Sequence, residues 1–437
     1  MPLNNIVNNI HSISIDTRSM RKGDTFIAIR GKRFDGHDFV AEAFRKGAKS
    51  AVVSKKPKIP RRLEGRLVRV KDTLRALGDI AKTHRAKFDI PVIAVTGTNG
   101  KTTAKDMIAH VLSARHKVLK NETSKNNLIG LSLTLLGLGR RHDVAVLEMG
   151  MNRPGEIDRL SEIAKPEIGV VTNVGLAHLE FLGTPENVFK AKTELLKWLP
   201  PNGMAVLNAD DARLRNVKGL KSRKTYFGIE KKCDFRATKL SYVKNRWSFT
   251  VGGKRFRCPL PGKHNIYNAL VAIVIARGFG IDLSAVGKRI NSFRQASPMR
   301  MDLRRYRDVC FLDDCYNSNP LSMECAVRTL AAYRTGGRKI VVSGDMLELG
   351  KSSGVMHETL GRQIASSGVN FLITMGKLSR FTETAAKHKG MRGVFHAESH
   401  RAAADFLKKI VKPKDVVLVK GSRGMEMEKV IEQFMKD

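Results

Sequence analysis

Residues 97–103 read Gly-Thr-Asn-Gly-Lys-Thr-Thr and stand between the apolar run 92–96 and a helical pattern that begins near Thr102. Glycines allow a backbone to curl so that successive N–H groups point inward. A helix N-terminus adds positive potential, and a lysine supplies a point charge for outer phosphates. Gly97, Thr98, Asn99, Gly100, Lys101, Thr102 and Thr103 are therefore candidate nucleotide contacts, with ATP as the expected ligand and the Thr102 hydroxyl placed to reach Mg2+. The spacing departs from GxxxxGK[ST] because Val95 occupies the position of the first glycine.

A nucleotide's Mg2+ takes oxygen ligands beside the phosphate turn. The apolar run in "DVAVLEMGMN" ends at Glu148, and "IGVVTNVGLAHLEFLG" delivers Asn173 and His178 after another. In "TPENVFKAKTELLKWL", Thr184 is a helix N-cap and Pro185 the first helical residue. Counting by threes and fours puts Lys192 on one face with Val188, Leu195, Leu196 and Leu199. A cation on a face that should be buried must snorkel, pair with an acid, or change chemically. In the last case CO2 adds to the amine, giving a carbamate able to ligate a second Mg2+.

These residues need strands that end at one edge of a parallel sheet. From Pro91 to about residue 297, apolar strands alternate with helical patterns, as in a helix-covered parallel sheet. We expect an α/β protein of three parts, at 1–89, 90–297 and 298–437. The first is a small α/β unit. The last repeats strand and helix through "VCFLDD", "KIVVSGD", "NFLITMG" and "DVVLVKG".

A chain of 437 residues is long enough for several cores, and 42% hydrophobic content suits a globular protein. No apolar run approaches a membrane span, and the N-terminus lacks the pattern of a secretory signal, so a cytoplasmic location without membrane insertion is expected. Five scattered cysteines fit free thiols. The 79 Lys+Arg against 41 Asp+Glu give a net charge of +38, which raises nucleic acid as a rival partner. The basic residues are spread along the chain, however, without an aromatic-studded basic module, and no nucleic acid is expected.

"VTGTNGKTT", "LEMGMNRPGEI", "TNVGLAHLE", "KAKTELL", "PGKHNIYNAL", "DDCYNSNPLSM", "GDMLELG" and "VKGSR" occur in the order seen in the Mur ligase family, which the whole chain resembles. "DTRSMRKGDTFIAIRGKRFDGHDF" resembles the family's uridine-nucleotide-binding domain. The resemblance implies a UDP-sugar-binding domain, a P-loop-type ATPase domain and a Rossmann-like C-terminal domain. It implies ATP-driven amide formation through an acyl phosphate in peptidoglycan precursor synthesis. The last motifs point to UDP-N-acetylmuramoyl-tripeptide and D-alanyl-D-alanine as substrates of a monomeric enzyme.

Carried over by position, the resemblance makes Lys101, Lys192, His178 and Arg300 catalytic. Thr102 and Glu148 would bind one Mg2+, and His178 with carbamylated Lys192 the other. Asn265 would address adenine, Arg300 the phosphates, and Asp314 the ribose, with Asp313 one position away as its alternative. Thr17, Arg18, Asp35 and His37 are candidates for the UDP-sugar, though "DTR" and "FDGHD" also read as turns and caps. Asn126 and Asn127 would line the peptide channel, and Asn317, Asn319, Lys420, Ser422 and Arg423 the amino-acid side. Two alternatives stay open: a Mur-type ligase adding a different amino acid, and a basic nucleic-acid-binding NTPase.

Overall fold

A computed structural model describes residues 12–31, 33–294 and 297–436. The chain has the three-domain α/β architecture of the family it resembles. A four-stranded parallel sheet, Ile13–Ser14, Thr25–Ile27, Ser50–Val53 and Leu67–Arg69, opens it. Helix Thr73–Arg85 follows, capped by the Asp72 carboxylate, which accepts from the amides of Leu74 and Arg75.

The central sheet has seven parallel strands. Strand Val92–Thr96 lies between Val144–Glu148 and Ile168–Val171, and Met204–Asn208 follows on the latter side. All five residues of 92–96 are buried because both faces are covered. Ile93 and Val95 pack toward helices Lys101–Leu112 and His264–Gly278. Val92 and Ala94 pack on the other side, where helices Leu128–Leu136, Glu156–Ala164 and Pro185–Thr193 contribute apolar residues. Each fully buried Ile or Val contributes roughly 1.5–3 kcal/mol, enough to fix which face of the strand meets which helix layer.

Residues 238–257 differ from the alternating pattern read in the sequence. They form a three-stranded antiparallel sheet, Thr238–Val243, Arg246–Val251 and Lys254–Arg257. Its two turns use Lys244-Asn245, with φ of 50° and 58°, and Gly252-Gly253, with φ of 53° and 75°. Positive φ at both central residues matches the twist of a hairpin. Phe249 and Phe256 stack with centroids 5.6 Å apart and close one face onto the central core.

The C-terminal sheet runs in the order Asp302–Tyr306, Val309–Asp313, Val416–Lys420, Lys339–Gly344, Phe371–Met375, Val394–Ala397. It is parallel apart from the antiparallel edge pair formed by the first two strands. The carboxyl ends of 309–313 and 416–420 face the central sheet's phosphate turn. The side-chain amides of Asn99 and Asn319 exchange hydrogen bonds of 3.2 and 2.8 Å across this junction.

Candidate active site between the central and C-terminal sheets

A cavity of about 710 Å³ lies at this junction, and the phosphate turn forms one wall. Strand 92–96 runs into Gly97, with φ of 142°, and Gly100, with φ of 82°. A Cβ at Gly97 would lie 2.0 Å from Thr172 Oγ1, and one at Gly100 would lie 2.5 Å from Asn268 Oδ1, so both positions require glycine on space as well as φ. The Thr98 amide donates to the Asn173 carbonyl at 2.9 Å, and the Asn99 amide to Asn173 Oδ1 at 3.0 Å. Thr172 Oγ1 donates to the Asn99 carbonyl at 2.6 Å.

The helix that begins at Lys101 has Gly100 as N-cap and no side chain capping it. First-turn amides have no intrahelical acceptor in any helix, and with no side-chain cap these offer a site for anions. Lys101 Nζ lies across the turn and donates to the Thr98 carbonyl at 3.1 Å. Burial holds its ammonium below the usual lysine range, Glu148 opposes that shift, and Arg300 adds to it.

Glu148 ends its strand with 2% exposure and is gripped on all sides. Thr102 Oγ1 donates to Oε2 at 2.7 Å and Asn126 Nδ2 to Oε1 at 2.7 Å. Asn121 clamps its backbone, accepting from the Glu148 amide at 2.8 Å and donating to its carbonyl at 2.9 Å. Among the described residues no group of three or more His, Cys, Asp or Glu could hold a metal ion. A hydroxyl and one carboxylate beside a phosphate site nevertheless suit Mg2+, which takes few protein ligands and completes its shell with phosphate and water oxygens.

Helix Pro185–Thr193 starts as expected, with Thr184 Oγ1 accepting from the Asn187 amide, and tightens into a 3-10 turn at Glu194–Trp198. Lys192 is only 2% exposed on its inner face. Its Nζ donates to the Gly97 carbonyl at 3.1 Å. Burial, and then the neighbouring Lys101, push its pKa well below the ordinary lysine value. With so little exposure and its Nζ on the Gly97 carbonyl the side chain does not snorkel to solvent, and a neutral amine is the form that adds CO2. His178, left-handed at φ of 55°, lines the same cavity, and its Nδ1 lies 2.7 Å from Glu348 Oε2.

The opposite wall belongs to the C-terminal sheet. The Arg300 guanidinium stands 3.8 Å from the Tyr316 ring centroid, and its buried Nε has no hydrogen-bond partner. Asp314 Oδ2 pairs with Lys420 Nζ at 2.6 Å while Oδ1 accepts from the Met301 amide at 3.0 Å. Both residues face the cavity, as do Asn317 and Asn319. Asp313 instead pairs with Arg304 at 2.8 Å and is fully buried away from it.

Three models of one family match the chain: the Mur ligase family, catalytic domain over residues 9–85, the Mur ligase middle domain over 95–276, and the Mur ligase, glutamate ligase domain over 299–423. The chain belongs to the Mur ligase family. It is 35% identical to the UDP-N-acetylmuramoyl-tripeptide–D-alanyl-D-alanine ligase of Bacillus subtilis (strain 168), over 98% of this chain and 93% of that one. Identity to the Escherichia coli (strain K12) enzyme of the same name is 34%, over 98% and 94%. Among solved structures, MurF from Acinetobacter baumannii superposes with a TM-score of 0.89 at 30% identity, covering 97% and 93% of the two chains. The MurF ligase from Thermotoga maritima in complex with ADP gives 0.88 at 28%, covering 100% and 98%.

For this Mur ligase the cavity gathers Thr98 to Thr103, Asn126, Glu148, His178, Lys192, Asn265, Arg300, Asp314, Asn317, Asn319 and Lys420. Gly97 stands behind the wall and supplies the carbonyl that Lys192 binds. Asn265 lies in the first turn of its helix, with Nδ2 donating to the Pro261 carbonyl at 2.6 Å and Oδ1 accepting from Asn268 at 2.8 Å.

The other expected contacts lie outside this cavity. Asn127 caps helix Leu128–Leu136 by accepting from the Gly130 amide, so it orders the channel loop without lining the cavity. Ser422 Oγ accepts from the Leu347 amide at 2.8 Å, and Arg423 pairs with Glu428. In the first domain Arg18 pairs with Asp16 at 2.7 Å, and Thr17 is buried with its carbonyl accepting from Lys46. The buried His37 spends both ring nitrogens on protein: Nδ1 meets Asp35 Oδ1 at 2.6 Å, and Nε2 accepts from the Ser54 amide at 2.9 Å. Asp35 also pairs with Lys55 at 2.8 Å. "FDGHD" is thus a capped turn in which Asp35 and His37 hold each other.

Sequence reasoning missed Asn121, Asn268 and Tyr316. Both asparagines are buried; Asn121 meets Glu148 from a neighbouring strand, whereas Asn268 bonds Asn265 one turn away on its own helix and packs against Gly100. Tyr316 lies inside "DDCYNSNP", where its ring could have been suspected as a platform for a nearby arginine.

Proposed function

We propose that this Mur ligase joins D-alanyl-D-alanine to UDP-N-acetylmuramoyl-tripeptide, the substrates for which its Bacillus subtilis and Escherichia coli relatives are named, with cleavage of ATP to ADP and phosphate, in the cytoplasm and as a monomer. The observation that carries the reading is one cavity holding an uncapped helix N-terminus, Lys101, the Thr102–Glu148 pair, buried Lys192 and Arg300. We take the joints between domains to lie at 89/90 and 297/298.

A carboxylate is a poor electrophile, so it must first become an acyl phosphate. The peptide carboxylate attacks the γ-phosphorus, the bond to ADP breaks, and the dipeptide amine then displaces phosphate to form the amide. The first-turn amides and Lys101 bind and orient the phosphates, while Arg300, with a free buried N–H, adds charge from the C-terminal side. Two Mg2+ ions, one held by Thr102 and Glu148 and one by His178 and a carbamylated Lys192, would offset negative charge as it moves onto the leaving oxygen. Asn265 and Asp314 border the end of the cavity that would take adenine and ribose. Asn126 faces the peptide, and Asn317 and Asn319 the incoming amine. The C-terminal domain, seated against the turn through Asn99 and Asn319, shields the acyl phosphate from water.

Phosphate release with the tripeptide precursor, ATP and Mg2+ should require D-alanyl-D-alanine. Turnover with single amino acids in its place would move the assignment to another Mur-type reaction. Release stimulated by polynucleotide, steeply salt-dependent, would support the nucleic-acid reading instead.

A further inference from the structure

The segments that carry His178 and Glu348 are joined across the junction by more than one bond. Nδ1 and Oε2 are 2.7 Å apart, and the Glu180 amide donates to the Glu348 carbonyl at 3.2 Å. Gly350 also lies beside this segment, where an added Cβ would come within 3.5 Å of Glu180 Cα. His178 and Glu348 are themselves left-handed, with φ of 55° and 62°. Non-glycine residues take this conformation rarely, and it persists where surroundings over-determine it.

As a plain ion pair the contact would count for little, since the two side chains are 21% and 43% exposed and solvent screens such pairs. Its chemistry is more specific. A carboxylate that accepts from Nδ1–H fixes the ring's tautomer and leaves the lone pair on Nε2, the arrangement by which ligating histidines are aimed. The carboxylate comes from the loop after strand Lys339–Gly344, whereas the imidazole follows Ile168–Val171, so the two meet only when the domains dock.

We propose that Glu348 is a positioning residue that sets the tautomer and aim of His178 when the C-terminal domain docks, completing the second cation site. This rests on the reading of His178 as a ligand in the ligase reaction.

The test uses full-length protein with 15N-labelled histidine, Mn2+ and a non-hydrolysable ATP analogue. In the unsubstituted protein the His178 ring, assigned by its loss in His178→Gln, should show the lone pair on Nε2, and electron paramagnetic resonance should count two bound Mn2+. Glu348→Ala should mix the tautomers and weaken one Mn2+ by about 10–100-fold while the other holds. Glu348→Gln, whose amide oxygen still accepts from Nδ1–H, should keep the tautomer and lose less affinity. An Ala variant with unchanged tautomer and both Mn2+ affinities intact overturns the proposal, as does a single Mn2+ in the unsubstituted protein. If Ala does not fold, a Gln variant that mixes the tautomers as freely as free histidine also overturns it. Failure of the ligase reading would appear separately, as absent acceptor-dependent phosphate release from the unsubstituted enzyme.

Discussion

Lys192 Nζ donates to the carbonyl of Gly97, the residue at which the central strand turns into the phosphate loop. A buried amine is thereby tied to the backbone that must cradle the nucleotide. Replacing it with alanine should lower phosphate release by about 10²–10³, the usual loss for one electrostatic element of an active site, and acetate or formate should restore part of it. Full activity of Lys192→Ala without added acid would remove the carbamate from the mechanism. The folded-state pKa lies well below that of a free lysine, so the neutral amine prevails between the two values. Acidification through the lower value restores the ammonium, so activity at limiting bicarbonate should fall as pH falls.

Gly97→Ala should cost both fold and nucleotide binding, because the new methyl would meet Thr172 Oγ1 at 2.0 Å in a backbone conformation already unfavourable for it. Strain of ~1–3 kcal/mol is expected. Thermal unfolding and titration with ADP measure the two losses. An alanine variant with unaltered melting and affinity would show that the turn tolerates a side chain.

Arg300 presents a buried, unpartnered Nε above Tyr316. Arg300→Lys keeps the charge but loses the planar fork, so KM for ATP should rise about tenfold. Tyr316→Leu should act in the same direction by ~0.5–1 kcal/mol. Steady-state kinetics on the pair and the double variant test whether ring and guanidinium act as one unit.

Glu162 links helix Thr73–Arg85 to the central domain through Lys82 at 2.6 Å and also pairs with Arg159 of its own helix at 2.6 Å. Hydrogen bonds from Lys82 and then Arg159 hold its carboxyl down at about 2 against an ordinary 4.5. Its stabilisation is complete above the ordinary value and is lost as pH falls toward the depressed one. Glu162→Gln should therefore lower the melting temperature near neutral pH, by an amount matching ~0.5–1 kcal/mol, and change nothing near the folded value. Equal shifts at both ends would refute the linkage.

Legibility in the sequence followed the range of the interactions. The phosphate turn, Glu148 and the inward Lys192 could be read because each depends on local periodicity and on the parallel-sheet rule that polar groups gather at strand ends. Asn121 could not, since its clamp on Glu148 exists only because strand Val118–Lys120 pairs with Val144–Glu148. The hairpins at 238–257 carried a signal in Lys-Asn and Gly-Gly that the surrounding α/β rhythm masked. Asp35 and His37 read both as ligand types and as a capped turn, and the cap is the part that local spacing made legible.

The order of strands in the central sheet also governs when the site can come into being. Glu148, Asn173 and Lys192 all meet the turn at 97–102, from 46 to 95 positions further along the polypeptide. During synthesis a nascent chain that has just passed Thr103 therefore exposes a glycine hairpin with nothing to grip. The turn gains its last named partner only after Lys192 clears the ribosome, and no shorter amino-terminal fragment should act as an ATP sponge in the cell, since Asn265, Arg300 and Asp314 join the cavity later still.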